Sequence, residues 1–446
     1  MLKLGTKRSF WMTSMTLKYS PIVDAENPAN YRPQGLHPVH LGDSFANGRY
    51  TVVHKLGHGV SSTIWLVHDA KTQNYASLKI IAACRPAPVT ELAVLQHLEA
   101  TFDDEEEGST HVMQMLDHFV HDGPNGRHQC IVGEVLGPSL ASYIGPFWDN
   151  DILPGNMVRR LVGQIALGVK YLHKRCVAHG DLHQGNILLC PPTPAWSSQA
   201  DVETHLGRPF KALLEVDIPG AHHSHPLNAD DLEFPPVPLS PHVPAYLVPA
   251  PHEVEFLRLC LTRPHIKLCD FSEAYMPGLP RVRLATPRIF RPPEALVSAA
   301  THPSTHADIW ALAVLMHMLF TGGCGLFYFG DDRQLREMVR LLGKFPEPWW
   351  SSWANRSRYF DDDGGLLDAE SSDIYGLAKL YEEGMPVDGS EYDIFEALLK
   401  SMVRYDSDTR ITADAVVASE WVQEYCRPWM GDTETFVIDF CEEYLG

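Results

Sequence analysis

The sequence has no surplus of positive charge. Its formal net charge is −20, which argues against direct nucleic-acid binding and allows attraction to a basic partner. It has no Cys-x-x-Cys pair. Nine cysteines stand singly from Cys84 to Cys441, an odd number that fits free thiols in a reducing compartment better than a disulfide frame. No run of about 18 apolar residues occurs, so no membrane span is expected. Neither a secretory signal pattern nor an internal repeat is visible. The first twenty residues carry Lys3, Lys7, Arg8 and Lys18, and no acid precedes Asp24; this reads as a basic tail in preference to an organelle-targeting segment.

What is present is an ordinary globular composition over 446 residues, with 45% hydrophobic and 21% charged side chains. That length accommodates two lobes and one long insertion. From Arg49 to Ile81 the chain reads as strand, Gly turn, strand, strand, with β-branched and aromatic residues bounded by turn formers. Thr90 to Leu98 reads as a helix preceded by Pro86 and Pro88. Val112–Val120 and Gln129–Val135 are further strand candidates. Beyond Gly137 the period becomes helical, over Met157–His173, Ile309–Phe320 and Asp393–Val403. Residues 191–264 break the pattern: fourteen of the 34 prolines fall there. They read as a largely irregular insertion with short helices near Lys211 and Val254.

Four stretches carry chemistry in chain order. Gly57-His58-Gly59-Val60-Ser61-Ser62-Thr63-Ile64 follows Gly-x-Gly-x-x-Gly-x-Val except at Ser62 and Ile64, a turn through which backbone approaches phosphate. Alone, a plain hairpin explains it. Ala76-Ser77-Leu78-Lys79 puts a cation on the next strand, and Glu91 on the following helix is placed to pair with Lys79. His179-Gly180-Asp181-Leu182-His183-Gln184-Gly185-Asn186 then matches His-Arg-Asp-x-x-x-x-Asn. Asp181 would accept a substrate hydroxyl's hydrogen bond, and Asn186 would bind one Mg²⁺. Last, Ile266-Lys267-Leu268-Cys269 runs into Asp270-Phe271-Ser272, where Asp270 would hold the Mg²⁺ bridging β- and γ-phosphates. Phosphoryl transfer needs phosphates held, metals placed and the acceptor oriented, and the four stretches supply those parts.

Later landmarks agree. Arg291-Pro292-Pro293-Glu294 stands where Ala-Pro-Glu would close an activation segment. Asp308 opens a hydrophobic helix and is placed to bond the catalytic-loop backbone, and Arg410 is expected to pair with Glu294. Two other candidates are set aside. His222-His223-Ser224-His225 lies in the Pro-rich insertion without nearby Cys and reads as a solvated loop. Asp361-Asp362-Asp363 before Gly364-Gly365 reads as an acidic turn.

The chain resembles the SR-protein-specific kinases, a family of eukaryotic Ser/Thr protein kinases that phosphorylates Arg/Ser-rich splicing factors. The resemblance is carried by Asn27-Pro28-Ala29-Asn30-Tyr31 through Gly35-Leu36-His37-Pro38-Val39, by Leu41-Gly42-Asp43 and Asn47-Gly48-Arg49-Tyr50, and by Lys55-Leu56-Gly57. Cys130-Ile131-Val132-Gly133-Glu134-Val135-Leu136-Gly137 resembles the hinge and Leu341-Leu342-Gly343-Lys344-Phe345-Pro346 the large-lobe insertion. It covers roughly residues 25–190 and 265–425. The fold it implies is α+β and two-lobed, with a small antiparallel β-sheet lobe plus one helix at 41–137 and a larger, mainly helical lobe at 138–430. The insertion 191–264 interrupts the larger lobe, residues 1–40 precede the smaller one, and 431–446 form a tail. The implied cofactors are ATP and Mg²⁺. The implied catalytic set is Asp181, Lys79, Glu91 and His183, with Asn186 and Asp270 on metal. The nucleotide would meet Leu56, Gly57, His58, Gly59, Ile64, Ala76, Lys79, Gly133, Glu134 and Leu136.

Departures from the pattern have consequences. Gly180 replaces an Arg that reads a phosphorylated activation loop, which suggests activity without that phosphorylation. His183 replaces a Lys, and an imidazole, whose ordinary pKa is about 6.5, supplies less positive charge at pH 7. Ser272 replaces Gly. Gly133 falls where a bulky gatekeeper is expected, so an open back pocket would follow. The acidic docking stretch looks shortened around Phe327 to Asp332. The expected partner is a protein substrate, basic and Arg/Ser-rich, with no direct nucleic acid and no membrane. The expected state is a monomer in the cytoplasm with nuclear access. Two rivals stand beside the active Ser/Thr kinase. One is a pseudokinase scaffold, favoured by Ser62, Gly180, His183 and Ser272 and opposed by the retained Lys79, Asp181, Asn186 and Asp270. The other is a small-molecule kinase, opposed by the activation segment, Glu294 and Asp308.

Overall fold

The structure is a computed structural model. It describes residues 22, 24–84, 90–143, 153–193, 196–214, 228, 230, 240–251, 254–279, 284–297, 303–321, 326–327, 331–367 and 389–431. The basic stretch 1–20, Pro86 and Pro88, the tract 222–225 and the tail from 432 onward lie outside these residues.

Alternation of buried and half-buried residues builds the first lobe. Six antiparallel strands pair in the order β1 (Ser44–Phe45), β2 (Tyr50–His58), β3 (Ser62–Asp69), β4 (Asn74–Ile81), β6 (Gly126–Gly133) and β5 (Met115–Gly123). The first three main strands fall where the sequence pattern sets them. The β5–β6 hairpin is tighter than expected: its turn is at Pro124-Asn125, and Val112 instead bridges Leu268. Helix α1 (Thr90–Ala100) lies against this lobe and buries Leu92, Leu95 and Leu98.

A bulge at Leu56 sets the faces of the glycine turn. Lys55 pairs with Trp65, whereas Gly57 pairs with Ile64 and His58 with Thr63. The extra residue rotates the strand locally. Gly57 and Ile64 therefore share the cleft face with Lys79, the partner of Ile64 on β4, while His58 lies on the outer face.

That outer face is covered. Trp65, Val67, Ala76, Leu78, Cys130 and Val132 pack there with Val39 and Phe45 from the leading segment and with Tyr246 and Val248 from the insertion. Beneath the leading segment, the fully buried Lys55 ammonium donates to Glu26 at 2.7 Å and sits 4.2 Å above the Trp65 ring. Tyr31 O–H donates to the same carboxylate. A buried cation is tolerated only with such a partner set.

The second lobe is organised by α3 (Gly155–Lys174), which follows the short α2 (Leu140–Tyr143), and by α7 (Thr305–Phe320), which follows the short α6 (Pro293–Val297). α7 is apolar all round and buried along its length, as a core helix should be. Its start is fixed by Ser304, whose side chain accepts from Ala307 N. No helix among the described residues is long and apolar enough to cross a membrane.

The insertion differs from the sequence expectation. The helix expected near Lys211 is absent: after β7 (Ile187–Leu189), Ala212–Leu213 is a strand, β8, paired with β9 (Tyr246–Leu247), and the helix lies earlier, at α4 (Gln199–Leu206). The helix near Val254 is present as α5 (Val254–Leu261). Both helices bury side chains in the main core, with Trp196, Val202, Leu206, Phe256 and Cys260 almost wholly covered. Enough apolar residues survive between the prolines to anchor these parts of the insertion.

Candidate active site

Strand β4 delivers Lys79 to the cleft. Its ammonium donates to both Glu91 oxygens, at 2.8 and 2.7 Å, and to Asp270 Oδ1 at 3.2 Å. Glu91 lies in the first turn of α1, where a carboxylate also suits the helix dipole. Burial works against the Lys79 charge, but Glu91 and Asp270 outweigh it and raise its pKa. Burial likewise opposes the Asp270 carboxylate; Lys79 and bonds from Ser272 more than offset it and hold Asp270 at about 2. Burial raises the Glu91 carboxyl, against the pull of Lys79, while Lys79 and Asp270 are each held in the charged form.

The loop carrying Asp181 is hung from α7. Asp308 accepts from His179 N at 2.7 Å and from Gly180 N at 3.0 Å, the bonding expected of it. Gly180 has φ +74°, and a β-carbon there would stand 2.3 Å from the Glu273 carbonyl oxygen. Glycine is thus required by both conformation and space. Asn186 donates through Nδ2 to the Asp181 carbonyl at 2.8 Å and to Asp181 Oδ2 at 3.1 Å, leaving Oδ1 open. Asp181 Oδ1 is buried and accepts no bond among the described residues. His183 Nδ1 accepts from Gly185 N at 3.0 Å, which assigns the ring proton of the neutral form to Nε2, 3.6 Å from Asp181 Oδ2.

Strand pairing corrects the base-binding set. Ala76 points to the outer face and is packed with Val67 and Leu78 in the covered core. A period of two counted back from Lys79 puts Ser77 in the cleft instead, and Ser77 O–H donates to the Glu134 carbonyl at 2.9 Å. The His58 side chain is likewise on the outer face, where the Glu26, Lys55 and Asp24 charges act on it. The open back pocket expected behind Gly133 is filled: a β-carbon at 133 would meet Met113 Cε at 2.7 Å. Gly57 and Ile64 share the face of Lys79, and Gly133 pairs with Ser77 on that side of the sheet.

Two further contacts tie the site to the second lobe. Arg410, buried, makes a bidentate pair with Glu294 at 2.7 and 2.7 Å, as expected. Thr286 Oγ1 donates to the Gly180 carbonyl at 2.7 Å, a link that sequence reasoning missed because nothing local marks Thr286. Of the shortened acidic stretch, Phe327 is buried and stacked on Trp310. Asp332 accepts from Trp353 Nε1 at 2.8 Å and Asn355 Nδ2 at 2.6 Å.

The family model for the protein kinase domain matches residues 50–193 and 259–422. The chain belongs to the protein kinase family. The unmatched gap falls inside the insertion. Among curated relatives, the kinase is 24% identical to "Protein kinase dsk1" of Schizosaccharomyces pombe over 90% of this chain and 86% of that one. It is 28% identical to "Serine/threonine-protein kinase SRPK" of Physarum polycephalum over 87% and 89%. It is 37% identical to human "SRSF protein kinase 3" over 37% of this chain and 30% of the relative. The resemblance to SR-protein-specific kinases, the two-lobed α+β fold and the class, a protein serine/threonine kinase, are borne out. The phosphoryl donor of this family is ATP. The relatives lend no support to the scaffold reading.

Proposed function

We propose that this kinase transfers the γ-phosphoryl group of ATP, with Mg²⁺, to Ser or Thr in basic, Arg/Ser-rich proteins. In this reading it acts as a monomer in the cytoplasm with access to the nucleus. The observation that carries the reading is the convergence of Lys79, Glu91, Asp270, Asn186 and Asp181 in one cleft, with Lys79 and Asp270 3.2 Å apart and Asn186 bonded to Asp181.

Each residue has a role the chemistry needs. Lys79, pinned by Glu91, presents a fixed ammonium to the α- and β-phosphates. The Asp270 carboxylate and the open Asn186 Oδ1 form an oxygen donor set that suits Mg²⁺. Bound there, the metal would neutralise charge on the β- and γ-phosphates. The Asp181 carboxylate is the acceptor for the substrate hydroxyl. His183, with Nε2 3.6 Å from Asp181 Oδ2, stands where a Lys would supply a fixed cation, so turnover is expected toward the low end of the kinase range of roughly 1–100 s⁻¹. Gly180 leaves no cation for a phosphorylated activation loop, in keeping with activity that needs none. The resemblance to SR-protein-specific kinases supports the Arg/Ser-rich substrate class, and the net charge of −20 suits a basic chain.

The test compares wild type and Asp181→Ala with labelled ATP and Mg²⁺, on an Arg/Ser-repeat peptide and on a generic basic protein. Transfer to the repeat peptide that the mutation abolishes supports the full reading. Transfer to the generic protein alone removes the substrate class and keeps the kinase. Bound ATP with no transfer to either would overturn catalysis.

A further inference from the structure

Ser77 faces the cleft two residues before Lys79 and lies opposite Gly133 in the pairing of β4 with β6. Its hydroxyl donates to the Glu134 carbonyl at 2.9 Å. The Glu134 carboxylate is turned elsewhere, accepting from Gln114 N at 2.9 Å and pairing with Lys267 at 2.6 Å. Only the backbone of Glu134 therefore meets Ser77. A β-carbon at 133 would stand 3.2 Å from Ser77 Oγ and 2.7 Å from Met113 Cε, so a side chain there would crowd the hydroxyl. The hinge end of the cleft thus presents a fixed carbonyl acceptor and a rotatable hydroxyl side by side.

A carbonyl oxygen only accepts, whereas a hydroxyl both donates and accepts. A carbonyl alone reads an amino group and repels a keto oxygen. Beside it, Ser77 can offer a lone pair to a 6-amino purine or a proton to a 6-oxopurine, whose N1–H and O6 are adjacent. In the second case N1–H donates to the Glu134 carbonyl, and the Ser77 O–H turns from that carbonyl to O6. N1–H, O6, the Glu134 carbonyl and the Ser77 hydroxyl then all remain paired, and pairing of such groups decides discrimination in a buried site.

We propose that Ser77 and Gly133 make the purine 6-position a two-way reading point, so that 6-oxopurine nucleoside triphosphates (GTP and ITP) serve as phosphoryl donors beside ATP. The proposal rests on the reading of this cleft as the nucleotide site. The bond between the γ-phosphorus and the β–γ bridging oxygen breaks, and its electron pair leaves with the nucleoside diphosphate. A bond forms from phosphorus to the acceptor hydroxyl oxygen, whose proton passes to Asp181.

The test measures kcat/KM for ATP, GTP and ITP with one protein substrate, and Kd for ATP and ITP by calorimetry. It uses the full chain as wild type, Ser77→Ala, Ser77→Thr and Gly133→Ala. Wild type is expected to use ITP within about 30-fold of ATP. Ser77→Ala should lower the ITP-to-ATP ratio about tenfold, the effect of one lost hydrogen bond. Ser77→Thr, which keeps a hydroxyl, should hold the ratio within about threefold of wild type, and Gly133→Ala, which crowds it, should lower the ratio. ATP turnover without ITP binding or use overturns the proposal, as does an equal loss for both nucleotides in Ser77→Ala. If neither nucleotide binds, the kinase reading itself is overturned and the proposal with it.

Discussion

Gly180 combines a left-handed backbone, φ +74°, with a carbonyl oxygen 2.3 Å from where a β-carbon would lie. Gly180→Ala must therefore move the Glu273 backbone or the Asp181 loop. It is expected to cost about 1–3 kcal/mol of stability and to lower kcat, read from a urea titration and a transfer assay on the same preparation. Asp181→Asn keeps the shape and removes the charge. It should lower kcat by about 10²–10⁴ while ATP affinity stays within about threefold, a split that steady-state kinetics and calorimetry would register. His183→Lys puts a fixed cation beside the Asp181 carboxylate, and kcat should rise about 3–10-fold; an unchanged or lower rate would show that the imidazole acts by shape alone. Lys79, Glu91, Asp181, Asn186 and Asp270 were legible because their spacing is local and the chemistry fixes the residue types. Ser77 was legible too, by counting two back from Lys79, yet a motif match one residue off hid it behind Ala76. Met113 was not, because the space beside Gly133 is filled from a distant stretch of chain.

At the scale of elements, the leading segment is held to β2 by one buried pair. Glu26→Ala leaves the Lys55 ammonium sealed under Trp65 with no carboxylate, and should cost about 3–5 kcal/mol. The double replacement Glu26→Leu with Lys55→Met removes both charges and should recover most of that loss; urea unfolding of the two variants checks both statements. Trp196 packs within the insertion on Phe256, with ring centroids 5.2 Å apart, and ties the insertion to Tyr75 of β4 at 6.1 Å. The insertion's proline content correctly marked a break in the helical pattern. Composition could not reveal that Trp196, Val202, Leu206 and Phe256 would reach the main core, because such contacts join residues far apart in sequence and leave no local period. The strand order was easier: three consecutive β-rich runs with short turns pair with their neighbours.

Across the whole molecule, buried histidines tie stability to pH. Burial lowers His37 from 6.5 to about 3, helped by His121 and His128 alongside. Burial and the neighbouring His265 bring His111 to about 3. Both are neutral in the folded state while the unfolded chain takes up protons below about 6.5. Their stabilisation is thus complete above pH 6.5 and is lost as pH falls from there toward 3. Each contributes a slope of about 1.4 kcal/mol per pH unit. Denaturant midpoints recorded between pH 7 and 5 should fall accordingly, and His37→Gln should make the slope shallower without abolishing it, because His54, His121, His128 and His265 are lowered by burial as well. The covering of the sheet's outer face by Tyr246 and Val248 also has a consequence for synthesis on the ribosome. The last strand of that sheet ends at Gly133, and Tyr246 follows roughly 110 residues later, about 6–20 s at ordinary elongation rates. Through that interval the emerging chain carries a completed sheet whose apolar outer face is covered only in part, by Val39 and Phe45 of the leading segment, an invitation to a chaperone and a hazard in its absence.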